Sequence, residues 1–158
     1  LEASKTNLEW LRKVYNPLGS YRLIHTDARQ LNRFIKHIDS VATEPYLGPF
    51  MKDYPSEEKA KNIAKDLLPL YQETIQILRK ITRKRIVFIT PRFRTTARKE
   101  VPVNLSSFLE KNNISFEGPF LYSSPTSKML REIWILSPQN VYKQPGNKRK
   151  EWEESKQR

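Results

Sequence analysis

Cysteine is absent from the 158 residues, which excludes a disulfide framework and any thiolate metal site. Histidine is nearly absent: His25 and His37 are the only two, and neither has a partner at metal-ligand spacing. Glycine is scarce. The four glycines stand at 19, 48, 118 and 146, too far apart to build a G-x-G turn around a phosphate or cofactor. No apolar run approaches the ~20 residues that span a bilayer, and no signal-peptide pattern is present. Acidic residues are outnumbered. The 17 Asp and Glu against 29 Lys and Arg leave a formal net charge of +12. That excess favours a polyanionic partner, nucleic acid or an anionic surface, over a merely basic protein. Without cysteines or a signal, a reducing cytoplasmic compartment is the default. The length allows one domain with a modest core. The chain starts at Leu1 inside a helical pattern, as a piece of a longer polypeptide would.

What is present is an alternation of apolar patterns. Residues 2–13 place Leu8, Leu11 and Trp10, with Val14 nearby, among charged and amide residues, the pattern of a short amphipathic helix. Tyr21-Arg22-Leu23-Ile24-His25 reads as a strand, and Ala28 starts a short helix running to about His37. Ile38 to Thr43 is a second strand. Ser56 caps a long helix with Glu57 and Glu58 in its first turn. Ile63, Leu67, Leu70, Tyr71, Ile75, Leu78 and Ile81 recur on one face of it. Pro69 lies inside this pattern, and its missing N–H predicts a kink or a split.

Arg85-Ile86-Val87-Phe88-Ile89-Thr90 is continuously apolar and β-branched, the mark of a strand buried on both faces in a parallel sheet. Pro91 should end it. Arg92, Arg94, Arg98 and Lys99 then form a basic loop. No helix or strand pattern requires cations there, so they are candidate nucleic-acid ligands against the plain alternative of a solvated loop. Asn104 caps a helix from Leu105 to Lys111. Residues 116–123 and 129–137 are apolar runs joined by Ser124-Pro125-Thr126-Ser127, short enough for an antiparallel hairpin. Residues 139–158 are charged and predict a flexible tail. The fold class that follows is α/β, with a mostly parallel sheet and an antiparallel hairpin at its carboxyl-terminal end.

The chain is organised around Thr43-Glu44-Pro45-Tyr46-Leu47-Gly48-Pro49. Two prolines and a glycine stop the preceding strand. They hold an acid and an aromatic at the carboxyl edge of a sheet, where open α/β folds bind ligands. The acid offers a hydrogen-bond acceptor and the ring a stacking face. The plain reading is an ordinary strand-to-helix loop. Asp27 sits at a similar place, as a helix N-cap, a ligand's hydrogen-bond acceptor, or both.

This order and these motifs resemble the second part of a class I S-adenosylmethionine-dependent methyltransferase, a Rossmann-like fold whose last two strands form such a hairpin. Asn7-Leu8-Glu9-Trp10-Leu11 resembles the helix after that family's second strand. Asp27-Ala28-Arg29-Gln30-Leu31 resembles its acidic turn after the third strand, and Asp39 to Gly48 its Asp/Asn-Pro-Pro-Tyr loop after the fourth. Leu130 to Leu136 is like the final strand of the tRNA guanine-N2 methyltransferases that often carry a THUMP domain, the subfamily the chain resembles most.

The resemblance implies that residues 1–138 are the carboxyl-terminal part of a catalytic domain. Asp27 would bond the adenine amine of S-adenosylmethionine, with Ala28 and Thr43 beside the cofactor. Glu44 and the backbone near Pro45 would accept hydrogen bonds from the exocyclic amine of the target base. Tyr46 would stack on a base extruded from its helix. Catalysis would rest on positioning, without a covalent enzyme intermediate. Arg92, Arg94, Arg98 and Lys99 would hold RNA phosphates.

The catalytic loop reads Glu-Pro-Tyr-Leu here. The family's first two strands, glycine-rich loop and ribose-binding acid have no counterpart. The expectation is a fragment with an incomplete cofactor site and open sheet edges that invite self-association. Two further readings stay open: a DNA amino-methyltransferase of the same fold, and a non-catalytic RNA-binding module that uses the basic loop and the cluster at 79–85.

Overall fold

The computed structural model describes residues 1–15, 19–123 and 127–139. In chain order the elements are α1 (Glu2–Val14), a 3-10 helix (Ala28–Arg33), β1 (Ile38–Thr43), α2 (Glu57–Ile81), β2 (Thr82–Arg94), β3 (Glu100–Pro102), α3 (Leu105–Lys111), β4 (Phe116–Tyr122) and β5 (Met129–Leu136). The strands form one sheet in the order β1-β2-β5-β4, with β3 pairing the far end of β2.

Ser56 does cap α2, its hydroxyl accepting from the Lys59 amide at 3.2 Å. The helix then runs 25 residues and passes directly into β2. Pro69 does not divide it. An internal proline costs about 3 kcal/mol. Pro69 itself lies on the exposed side, while Ala60, Leu67, Tyr71, Ile75 and Leu78 are buried along the opposite one. Each large side chain so buried returns about 1.5–3 kcal/mol, which outweighs one lost hydrogen bond.

The sheet departs from the mostly parallel expectation. β1 and β2 pair parallel, but β2·β3, β2·β5 and β4·β5 are antiparallel. The cause is the position of β5. It lies between β2 and β4 and runs against both, so one reversed strand makes two antiparallel interfaces. The expected hairpin of β4 and β5 is present, while its turn at 124–126 lies outside the described residues. Residues 140–158 of the expected tail also lie outside them.

Three local expectations are corrected. Tyr21–His25 carries no ladder, because an apolar segment becomes a strand only where a neighbour accepts its backbone bonds. The helix expected to reach His37 is a 3-10 helix ending at Arg33. Pro91 does not end β2, which continues to Arg94. On one flank β1 pairs only as far as Phe88 and β3 begins at Arg92, so that flank has no ladder at Pro91 to interrupt.

Alternation along the strands separates two faces. On one, Ile86, Phe88, Thr90, Leu130, Glu132, Trp134 and Leu136 are buried. Most of these join α2 and α3 in the core cluster. On the other, Val87, Ile89, Ile133 and Ile135 are half-buried and outside that cluster, next to the exposed Phe120 and Tyr122. The amphipathic α1 buries no residue. No helix among the described residues is long and apolar enough to cross a membrane.

Candidate functional site

Because β1 and β2 are parallel neighbours, with Thr43 opposite Phe88, the loop after Thr43 leaves at the carboxyl edge of that pair. Two contacts fix it. The Tyr71 hydroxyl, from α2, donates to the Tyr46 carbonyl at 2.6 Å. Tyr71 is fully buried and packs edge-on against Phe88, ring centroids 5.5 Å apart. Burial pushes its phenol above the usual value, so it stays protonated and donating at neutral pH. Gly48 is the second anchor. Its φ is +105°, and a Cβ there would stand 3.1 Å from Ile63 Cγ2 and 3.6 Å from Leu67 and Phe93. Only glycine allows the turn to press this close to α2. Pro45 is half-buried and the Tyr46 ring is 60% exposed.

Tyr71→Phe removes one hydrogen bond and almost no volume. It should cost about 1 kcal/mol of stability, read by urea unfolding, and speed amide exchange in the loop. A loop with unchanged exchange would mean that this bond is not its anchor.

Glu44 is not free in solvent. The Arg131 Nε, from the middle of β5, donates to its Oε1 at 2.8 Å. Arg131 lies on the open face of the sheet, beside Tyr122. The acid, the proline carbonyl and the ring are therefore held together at one edge, with an arginine aligning the acid.

The other candidates are placed differently. Asp27 caps the 3-10 helix, accepting from the Arg29 amide at 2.8 Å. Its carboxylate is also gripped by the Arg29 guanidinium, at 3.0 Å from Nε and 2.7 Å from Nη2. The arginine bonds hold its carboxyl down at about 2. Ala28 is the exposed first residue of that helix, and Thr43 is half-buried at the end of β1. An adenine amine at Asp27 would have to share or displace Arg29.

Three of the four expected basic ligands serve the fold. Arg92 and Arg94 are strand residues of β2, where the sequence reading had a loop. Arg92 pairs with Glu132 at 2.7 Å, and Glu132 is 1% exposed. Thr90 completes this cluster, donating to Glu132 at 2.9 Å and accepting from the Trp134 indole at 2.9 Å. Arg94 donates to the Ser127 carbonyl at 3.0 Å. Lys99 pairs with Glu57 at 2.8 Å. Arg98 sits in a turn with φ 59° and makes no ion pair among the described residues. No cluster of His, Cys, Asp or Glu among the described residues is suited to a metal.

Sequence reasoning missed Tyr71, Arg131 and Glu132. The last two carried a signal: adjacent charges inside the otherwise apolar strand 129–136. Tyr71 looked like one more core residue of α2.

The sequence matches no protein-family model and no curated protein. Among solved structures the chain is similar to a proposed DNA modification methylase of Thermus thermophilus, with a TM-score of 0.51 and 14% identity. The match covers 84% of this chain and 60% of that one, so this chain spans little more than half of that methylase. A second structure of the methylase gives a TM-score of 0.49 at 15% identity, with the same coverage. The fold is thus similar to that of this methylase, a mixed α/β sheet with helices.

Proposed function

We propose that the chain is the carboxyl-terminal part of a nucleic-acid methyltransferase that modifies an exocyclic base amine, guanine N2 of tRNA. One observation carries the reading. Glu44, Pro45 and Tyr46 occupy the carboxyl end of β1 in a methyltransferase-like fold, with the backbone anchored at the Tyr46 carbonyl and the ring left open. Glu44, aligned by Arg131, accepts a hydrogen bond from the base amine. The Pro45 carbonyl accepts a second. Tyr46 stacks on the extruded base. These groups orient the nitrogen and do no covalent chemistry.

S-adenosylmethionine is the proposed methyl donor, supplying an activated methyl group. The residues present do not make a complete site for it. Asp27 is already engaged by Arg29, and Gly19, Gly48 and Gly118 stand in separate parts of the fold. The rest of the cofactor site belongs, in this reading, to a longer polypeptide or a second chain. The outer flank of β1, unpaired among the described residues, is the edge where either would join, and self-association is assigned to it.

The test is calorimetric titration of S-adenosylmethionine into this chain and into a polypeptide extended upstream, followed by methyl transfer to tRNA, other RNA and DNA. The expected result is binding and transfer to tRNA by the extended polypeptide alone. Its Glu44→Gln variant should keep tRNA affinity and lose turnover by about 100-fold or more. Transfer to DNA instead would favour the amino-methyltransferase reading that the proposed function of the Thermus protein suggests. Binding of the donor by neither polypeptide would sink the enzyme reading.

A further inference from the structure

Three aromatic rings stand out of the loop between β1 and α2. Tyr46 is 60% exposed, Phe50 96% and Tyr54 42%. An apolar ring so fully in water as Phe50 serves no packing purpose among the described residues. Tyr46 already has a role in the reading above. Phe50 and Tyr54 do not.

Each of the two rings stands at a cleft with a cation on its wall. Phe50 lines a cleft of about 390 Å³ whose far side carries Lys128. Tyr54 lines one of about 550 Å³ that contains Arg98. The clefts are joined through the end of β2: the Arg94 amide donates to the Lys128 carbonyl and its guanidinium to the Ser127 carbonyl, both at 3.0 Å. Tyr54 and Arg98 are also tied to each other. The Thr96 amide donates to the Pro55 carbonyl at 3.0 Å. The turn bearing Arg98 is closed by Thr95 and Lys99, whose backbones bond at 2.9 Å. Arg98 and Lys128 make no ion pair among the described residues. Among the described residues Glu100 is the one carboxylate lining the Tyr54 cleft, and Arg92 at 3.5 Å offsets it.

Aromatic faces beside uncommitted cations, on a chain of net charge +12, match one ligand chemistry. Unpaired nucleotides offer a flat base to stack and a phosphate to bond, in any sequence. A duplex offers the phosphate alone, because its bases are already stacked. We infer that Phe50 and Tyr54 stack on unpaired nucleotides of a single nucleic-acid strand, whose phosphates are held by Lys128 and Arg98. The inference rests on the nucleic-acid reading above and gives the substrate a local form: single-stranded next to the target base.

The test is fluorescence anisotropy with this chain, using labelled single strands of about a dozen nucleotides, in RNA and in DNA, and the duplex of the same sequence. Single strands should bind at least several-fold tighter than the duplex. The RNA and DNA arms identify which strand is preferred. Phe50→Ala and Tyr54→Ala should each weaken single-strand binding roughly ten-fold and leave duplex binding and the salt slope unchanged. Arg98→Gln should reduce the salt slope of single-strand binding by about 0.7. Equal binding of single strand and duplex overturns the inference, as does wild-type affinity in both alanine variants. Phe50 touches so little that its variant should melt with the wild type, a control that separates lost binding from lost fold. No methyl transfer is read here. Intact stacking together with an inactive extended polypeptide would therefore sink the enzyme reading and leave this inference standing.

Discussion

Arg92→Met is expected to destabilise the fold by about 3–5 kcal/mol, the cost of leaving a buried partner charge uncompensated. That corresponds to roughly 10 °C or more in Tm. Glu132 is 1% exposed, and its two oxygens are bonded by Thr90 and Arg92. Burial already pushes its carboxyl above the ordinary value, while Arg92 and Thr90 pull it back down. Without Arg92 the rise is larger. A carboxyl raised in the folded state contributes stability that is full below its unfolded value, about 4.3. That stability is lost as pH rises through the folded value. The deficit of the variant should therefore be smaller at pH 5 than at neutrality. Urea unfolding at both pH values checks this, and a deficit that ignores pH would show that Glu132 is not the cause. Adding Glu132→Gln removes the stranded charge and should recover much of the loss at neutral pH.

Phe88→Ala should also cost about 3–5 kcal/mol, with an effect that reaches the candidate site. Phe88 is fully buried, lies opposite Thr43 in the β1·β2 ladder and supports the Tyr71 ring edge-on. The cavity left behind frees Tyr71 to move, and the Tyr46 carbonyl loses its fixed donor. Unfolding by urea gives the first number, and amide exchange at Leu47 and Gly48 gives the second. A large stability loss with an unchanged loop would separate the core from the site. In a double-mutant cycle, Tyr71→Phe should add little once Phe88 is gone, because both changes release one anchor.

The strands of the sheet were legible wherever apolar residues ran unbroken or alternated. β1, α2, α3 and the β4·β5 pair stand close to their expected bounds. The errors share a physical origin. Pro69 and Pro91 are strong local breakers, but burial of α2 and a gap in the ladder beside β2 override them. Tyr21–His25 has strand composition and no partner among the described residues, and a single sequence does not reveal which neighbours exist. The acid-proline-aromatic loop was legible because prolines and glycine mark it locally. The contacts that hold it were not. Glu44 reaches Arg131 across 87 positions of sequence and Tyr71 reaches Tyr46 across 25. Charge at Arg92 and Arg94 was read as ligand-directed. Its use in the fold follows from β2 being longer than Pro91 suggested, which brings both arginines beside β5.

The position of β5 has a consequence for synthesis. It is the last of the described strands to be made, yet it alone joins β2 to β4. Until it emerges from the ribosome, β4 has no neighbour in the sheet, and the inner edge of β2 stays unpaired. The α2–β2 unit with β1 can form earlier as a partial layer. It would expose Ile86, Phe88 and Thr90 along an open edge until β5 emerges. Trp134, Glu132 and Leu136 arrive together on β5, and with them come the indole for Thr90, the carboxylate for Arg92 and the closing apolar contact for Ile86. Sheet closure, core completion and neutralisation of Arg92 are thus one event that waits for β5, and truncation before residue 129 should leave a nascent chain that depends on chaperones.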